Sequence, residues 1–145
     1  CIFNAGFKGP AIAFEMRGSG DISNQQRWRI DNNPQSIGTG VIHDGHCYRI
    51  GAGPNLIECI DAKTGEILWQ QRHQKAFWGS LSQSGDTAYV TDQAGTTLLF
   101  RLKPDSFESL ALCPLEDTCN TTPALAKGRV YMRTDGKLWC IDSNR

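Results

Sequence analysis

The 145-residue sequence predicts an all-β protein, because three observations agree. Tyr48, Tyr89 and Tyr131 recur at intervals of 41 and 42 residues, and each lies in a short strand-like run. A second apolar run follows each of them, at 56–61, 97–102 and 138–141. No segment keeps an apolar stripe of helical period over about ten residues, so no helix is expected. A period of about 40 residues made of short strands is typical of β-propeller blades, each a four-stranded antiparallel sheet.

The length of the chain predicts a partial ring of about 3.5 blades, since a closed propeller needs roughly four to eight. The simplest interpretation is a fragment, the C-terminal part of a longer propeller that here spans residues 1–145. The expected parts are two strands of a blade over 6–30, a complete blade over 37–71, a complete blade over 78–112, and three strands of the last blade over 120–142.

The first segment contains two β-rich runs, 10–16 and 26–30, with a loop rich in glycine and aspartate at 18–21. This order predicts a hairpin, and we interpret its two strands as the second half of a blade. In the next blade the expected strands are 37–42, 47–50, 56–61 and 66–71. The inner strand of that blade is rich in glycine, as expected where strands converge on the axis of a propeller.

The residues between the last two strands of this blade are of the types that form a tight turn. Asp61 can accept hydrogen bonds from the backbone N–H groups that follow, and Thr64 precedes Gly65, which supplies the positive φ of the turn. Trp69 then brings a large apolar surface to the outer strand, where it can dock on a neighbouring blade. We therefore interpret the whole motif as architectural.

The third and fourth blades repeat the pattern with departures. Gly45 and Gly128 begin a Gly-x-x-Tyr step in the second and fourth blades, and the step of the third blade is one residue longer. The turn at 103–106 lacks the glycine of the second blade. The remaining expected strands are 78–81, 88–90, 97–102, 109–112, 122–125, 130–132 and 138–141.

Composition excludes several classes of function. Fifteen basic and fifteen acidic residues balance and are scattered, so nothing steers the chain to nucleic acid. No apolar run approaches the roughly 20 residues of a membrane-spanning helix. The six cysteines form no C-x-x-C pair. Cys59 and Cys140 occupy the same repeat position and are expected to be small core residues, whereas Cys113 and Cys119 flank a loop that a disulfide could close in an oxidising compartment.

The phrase from Asp61 to Trp69 resembles the repeat of the pyrroloquinoline-quinone (PQQ) propeller superfamily. Residues 120–124, 128–131 and 133–141 resemble the end of PQQ-like propeller proteins that are abundant in planctomycete-type bacteria. The resemblance covers nearly the whole chain. It is specific for the fold and carries little about function, because propellers host many unrelated activities.

Two branches of the superfamily imply different functions. The propeller subunit of the outer-membrane β-barrel assembly machinery binds no cofactor and acts through protein contacts. Quinoprotein alcohol and sugar dehydrogenases bind PQQ and Ca²⁺, and they typically carry an adjacent Cys-Cys disulfide with carboxylate and Asn ligands to calcium. In this sequence no two cysteines are adjacent, and no acidic pair lies on an expected inner strand.

The resemblance therefore implies a non-catalytic module that acts as a scaffold or as a surface for a protein partner, without a cofactor. It also implies a periplasmic or otherwise extracytoplasmic location. A fragment of a PQQ- and calcium-dependent dehydrogenase is the alternative. The sensory or binding propeller of a larger enzyme or kinase is a second alternative.

The candidate binding residues lie in the loops between blades and between second and third strands. Phe77 and Trp78 enter an inner strand and could line the central channel, although one ring could instead pack between blades. His73 and Arg133 could add charge at the same face, or could simply be solvated. Residues 43–46 contain two histidines and one aspartate, which we interpret as a tight hairpin turn rather than a metal site. No catalytic set is predicted.

Overall fold

The computed structural model describes residues 1–6, 9–17, 19–31, 38–51, 53 and 55–142. Within these residues, fourteen strands form four antiparallel sheets, which we call blades 1 to 4. Blade 1 contains β1 (Ile2–Asn4), β2 (Ala11–Phe14) and β3 (Gln26–Ile30). Blade 2 contains β4 (Val41–His43), β5 (His46–Gly51), β6 (Leu56–Asp61) and β7 (Ile67–Arg72). Blade 3 contains β8 (Ser82–Ser84), β9 (Thr87–Thr91), β10 (Thr96–Arg101) and β11 (Ser109–Pro114). Blade 4 contains β12 (Ala124–Ala126), β13 (Arg129–Arg133) and β14 (Leu138–Asp142).

The predicted all-β, propeller-type fold is confirmed, with each blade a meander of consecutive strands. The one departure within the described residues is a single 3₁₀ turn at Ser23–Gln25. It forms because Asp21 accepts a hydrogen bond from the backbone N–H of Ser23 at 2.8 Å and bends the chain locally. Nothing helical in the described part of the chain is long and apolar enough to cross a bilayer.

Blade 1 contains β2 and β3 within 6–30, where two strands are expected, and one further strand that precedes them. Its first strand, β1, pairs with β2 through Ile2↔Ala13, Phe3↔Ile12 and Asn4↔Ala11. A run of three residues is too short to show the alternation from which strands are predicted. Part of the 18–21 loop and all of 32–37 lie outside the described residues.

The inner strands begin later than predicted. Strand β8 begins at Ser82 rather than at 78, and β12 begins at Ala124 rather than at 122. The residues before these strands bond to the neighbouring blades instead of to their own sheet. The backbone N–H of Leu81 donates to the carbonyl of Thr39 at 3.0 Å, and that of Ser80 donates to Thr122 Oγ1 at 2.8 Å. These segments therefore join blades at the axis.

The core consists of layers between blades, because both faces of the central strands are covered. In blade 2 the side chains of β5 and β6 alternate between the two neighbouring blades, as period-2 geometry requires. One face packs against blade 1, in a cluster of Ala11, Ala13, Trp28, Cys47 and Ile60. The other face packs against blade 3, in a cluster of Tyr48, Ile50, Ile57, Cys59, Phe77, Leu81, Ala88, Val90, Leu98, Phe100 and Leu102.

Two tryptophans on outer strands link blade 1 to blade 2 and blade 2 to blade 3. Trp28 Nε1 donates to the carbonyl of Ala62 at 3.0 Å, and Trp69 Nε1 donates to the carbonyl of Lys103 at 3.1 Å. Both acceptors lie 34 residues further along the chain, in the turn before the outer strand of the next blade. The same hydrogen bond therefore recurs at successive blade interfaces.

The ring of Trp28, from blade 1, packs on the turn at Asp61 to Gly65 in blade 2. Gly65 has φ of +81°, and a Cβ added there would lie 2.7 Å from Trp28 Cδ2. Asp61 Oδ1 accepts hydrogen bonds from the backbone N–H groups of Lys63 and Thr64, each at 2.8 Å. Glycine is thus required at this position by both its backbone conformation and the ring that packs on it.

Candidate functional site

The candidate site is the face of the partial ring that carries the loops between blades and the turns between second and third strands. His73 begins one of these loops, and its N–H donates to the carbonyl of Asn55 at 2.8 Å. His73 Nε2 lies 3.0 Å from Asp92 Oδ2, and its ring lies 4.7 Å from that of Phe77. The histidine therefore joins the loop after blade 2 to the turn of blade 3 and is not a freely solvated side chain.

Asp92 was not among the predicted site residues, yet it organises this part of the face. Its side chain is buried, and Oδ1 accepts hydrogen bonds from the N–H groups of Ala94 and Thr96, each at 3.0 Å. This is the geometry by which aspartate closes a turn. The signal in the sequence was an aspartate at the end of a strand and three residues before Gly95.

Phe77 and Trp78 have different environments. Phe77 is 1% exposed, belongs to the core between blades 2 and 3, and forms an isolated antiparallel bridge with Asp92. Trp78 is 46% exposed. Adjacent residues of an extended segment point to opposite sides, so only one ring of the pair can be buried here. Of the two, Trp78 is the ring that a partner can reach.

Arg133 does not join the group around His73. Met132, its neighbour on β13, lies against blade 3, since its Sδ is 3.6 Å from Thr91 Oγ1 and 3.2 Å from Thr97 Oγ1. By alternation, the exposed side chain of Arg133 is on the side of blade 4 that faces away from blade 3. Arg133 is therefore an exposed residue at the end of β13 and is not part of the group around His73.

Further polar groups on the loop-bearing face form hydrogen bonds that join one blade to the next. Gln93 Nε2 donates to Asn120 Oδ1 at 2.9 Å, and the N–H of Gly136 donates to Asp117 Oδ2 at 3.0 Å. The hydroxyl of Thr134 and this N–H hold the pKa of Asp117 below its usual value. These hydrogen bonds stabilise the loops, so the side chains that form them have a structural role.

Among the residues that the structure describes, no group of three or more His, Cys, Asp or Glu side chains converges. The histidines at 43–46 lie in a β-hairpin whose central residues, Asp44 and Gly45, have φ of 45° and 77°. His43 Nδ1 lies 2.9 Å from Gln83 Nε2 of blade 3, so it links two blades.

Cys113 and Cys119, which a disulfide could join, are free thiols in this structure. Cys119 is buried, and its Sγ lies 3.4 Å from the carbonyl oxygen of Arg133. It occupies in blade 4 the position that Phe77, 42 residues earlier, occupies in blade 3. Cys140 corrects an expectation: Cys59 is buried, whereas Cys140 is exposed, since no further blade covers it among the described residues.

These assignments predict a pattern of thiol reactivity. Iodoacetamide should label Cys1, Cys113 and Cys140 in the folded protein, because these three are exposed. Cys47 and Cys119 should react only after unfolding; burial raises the pKa of Cys47 to about 11, which keeps it a poorly nucleophilic thiol. Mass spectrometry of the labelled peptides checks this. Protection of both Cys113 and Cys119 that a reductant removes would instead indicate a disulfide.

Comparisons with known proteins agree with this architecture. A family model described as outer membrane protein assembly factor BamB matches residues 19–104, which is more than half of the chain. A search of the curated proteins finds no match. The crystal structure of BamB from Moraxella catarrhalis is similar, with a TM-score of 0.74 and 16% identity, over 93% of this chain and 40% of that chain.

Two further solved structures show that the likeness concerns the fold. A chain of the Mitotic Checkpoint Complex matches with a TM-score of 0.73 and 13% identity, over 95% of this chain and 44% of that one. A europium-containing methanol dehydrogenase matches with a TM-score of 0.54 and 14% identity, over 68% of this chain and 19% of that one. This chain thus spans less than half of each of these relatives. From the family match and the blade architecture together, the chain belongs to the PQQ-like β-propeller family of the outer membrane protein assembly factor BamB.

Proposed function

We propose that this chain is a non-catalytic propeller module that binds a protein partner outside the cytoplasm, without PQQ or calcium. The observation that carries the proposal is Trp78, which is 46% exposed on a face where His73 pairs with Asp92 and Gln93 pairs with Asn120. Tryptophan buries a large, rigid apolar surface and is enriched at the centres of protein interfaces. An exposed ring of this kind suits the face to binding a protein partner.

The segment that presents Trp78 is held in place before a partner arrives. Phe77 lies buried directly before it in the chain, and the N–H of Gln93 donates to the carbonyl of Ala76 at 2.9 Å. His73 and Asp92 fasten the start of the same loop. A surface that is already ordered loses little conformational entropy on binding, which favours affinity.

The likeness to an outer membrane assembly factor supports both parts of the proposal. By its name, such a factor takes part in the assembly of outer membrane proteins, which favours a protein partner and a location outside the cytoplasm for this chain. Identity of 16% carries the fold rather than the contacts, so Trp78 is proposed from this chain's own geometry. Cell fractionation that places the protein in the cytoplasm would contradict the location.

Photo-cross-linking tests the binding surface. The change is Trp78→p-benzoylphenylalanine, made in the full-length protein in its own cells. We expect a light-dependent adduct with an extracytoplasmic protein, because the ring at this position is exposed. The control is the same replacement at Lys63, an exposed residue in the turn at the opposite end of blade 2. Equal adducts at both positions would contradict the assignment of the surface.

A redox assay tests the absence of catalysis. The full-length protein is incubated with PQQ and Ca²⁺, and dye-linked oxidation of alcohols and sugars is recorded. We expect no turnover above that of free PQQ and Ca²⁺. Turnover that follows the protein through purification would overturn the non-catalytic assignment and favour the dehydrogenase alternative.

A further inference from the structure

A cleft of about 450 Å³ opens between blades 2 and 3. It lies further along the interface that Trp69 closes. Trp69 fills the first part of this interface. The centroid of its ring lies 6.0 Å from that of Tyr48 and 5.8 Å from that of Phe107. Two residues further along β7, the same face carries Gln71, which is exposed. Because an amide replaces an aromatic ring there, the interface stays open.

One wall of the cleft is apolar and belongs to blade 3. Leu98 on β10 pairs with Leu112 on β11, so both side chains face blade 2. Leu98 is buried, whereas Leu112 is 60% exposed, and Phe107 lines the cleft beside them. An exposed leucine that borders a cleft is available for an apolar side chain from another molecule.

The opposite rim is cationic. Lys75 lines the cleft and has no ion-pair partner among the residues that the structure describes. Arg72 also borders the cleft, but Gln71 beside it faces blade 3, so by alternation the side chain of Arg72 is on the blade 1 side. The lining described contains one acid, Asp92, whose carboxylate already accepts two backbone N–H groups and lies against His73. The charge left unmatched at the rim is therefore positive, and an acidic group complements it.

A free strand edge borders the same cleft. β11 is the terminal strand of its sheet, so the backbone groups on its outer side have no partner strand within the described residues. An extended chain that pairs with such an edge places every second side chain on each face of the sheet. Side chains on the blade 2 side then lie next to Leu112 and reach toward the cationic rim.

We propose that this cleft binds an extended, acidic and apolar segment of a partner protein by strand addition to β11. An apolar side chain of the segment packs beside Leu112, and a carboxylate lies against Lys75. The proposal rests on the proposed function in that the occupant is a protein. Its site is the outer part of the blade interface rather than the surface around Trp78.

A peptide of alternating leucine and glutamate, with a fluorescent label, is the probe. Fluorescence anisotropy with the full chain should show binding that weakens as salt is added, because exposed charges are screened. Amide hydrogen exchange should slow in β11 when the peptide binds. A peptide of alternating leucine and lysine should bind at least about tenfold more weakly, since rim charges set specificity.

A pair of charge-reversed proteins locates the site. Lys75→Glu should weaken binding of the leucine–glutamate peptide about tenfold or more. Lys127→Glu changes the net charge equally at an exposed position outside the cleft, and should leave binding within about twofold. Circular dichroism and thermal melting of all variants establish that each is folded.

Three results would overturn the proposal. Unchanged peptide binding by the Lys75→Glu protein would remove the cationic rim from the site. Sedimentation of the chain by phosphatidylglycerol vesicles through Lys75, without peptide binding, would assign the rim to a membrane surface. Slowed exchange in β11 caused by concentration alone would assign the edge to a second copy of the chain. The Trp78 cross-link reports on a separate surface, so either test can fail without the other.

Discussion

Replacing Arg49 by methionine is expected to lower the free energy of unfolding by about 3–5 kcal/mol, because it leaves a buried carboxylate without its counter-ion. Arg49 Nε lies 2.7 Å from Glu58 Oε2, and both side chains are 2% exposed. The two residues are direct cross-strand partners on β5 and β6. Arg49 Nη1 also donates to Asn4 Oδ1 of blade 1 at 3.2 Å, so the pair connects two blades. Urea denaturation measures the loss.

The double variant Arg49→Met with Glu58→Met distinguishes the attraction of the pair from the cost of burying it. Removing both charges at once is expected to bring stability back to within about 1 kcal/mol of the parent, since neither desolvated charge remains. Among the described residues, Arg49 Nη2 has no hydrogen-bond partner, which adds to the cost of the charged pair. A double variant as unstable as the single one would contradict this account.

The chain supplies a matched control for this cycle. Arg129 and Asp142 are also direct cross-strand partners, with Arg129 Nε 2.8 Å from Asp142 Oδ2. Their side chains are 47% and 32% exposed, so water screens the interaction. Arg129→Met is expected to cost less than about 1 kcal/mol. Each pair joins an arginine to a carboxylate in direct cross-strand register, and Arg129–Asp142 differs from Arg49–Glu58 chiefly in its exposure.

Replacing Gly79 by alanine is expected to cost about 3 kcal/mol, the upper part of the range for inserting an atom into a packed site. A Cβ at Gly79 would lie 2.3 Å from the carbonyl oxygen of Thr121, and this oxygen is part of the backbone of the next blade. Gly38 repeats the arrangement one blade earlier, since its Cβ would lie 2.2 Å from the carbonyl oxygen of Gly79. The added methyl group therefore pushes blades apart. The midpoint of urea denaturation checks the prediction.

Gly136→Ala is the control for this substitution. A Cβ at Gly136 would lie 3.2 Å from Asp117 Oδ2, the end of a side chain that can move aside. We expect a loss below about 1 kcal/mol, since a flexible neighbour relieves the contact. If both alanine variants lose the same stability, the cost lies in the glycine backbone rather than in the approach of the blades.

The repeat was readable from the sequence because its residues act locally. The turn at Asp61 to Gly65 and the alternation in β6 depend on neighbours within about ten residues, which a sequence pattern records. The starts of the inner strands were not readable. Residues 79–81 look like a strand, but their hydrogen bonds go to Thr39 and Thr122, about 40 residues away in the sequence.

In the candidate site, too, the sequence predicts some features and leaves others to the tertiary structure. The sequence placed Phe77 and Trp78 at the entry of an inner strand, but it could not say which ring is exposed. That depends on the packing of blade 3, which covers Phe77 and leaves Trp78 in solvent. The partnership of His73 with Asp92, and the separation of Arg133 from both, depend on how one blade sits on the next.

By itself, the sequence determined the all-β class, the blade period, the turn chemistry and the family. Those features follow from backbone conformation and side-chain alternation, which short segments specify alone. The tertiary structure alone decided the interfaces: which tryptophan seals which blade, where a cleft stays open, and which charges remain unmatched at its rim. Contacts between blades join residues some 40 positions apart, and no local pattern encodes the partner on the other side.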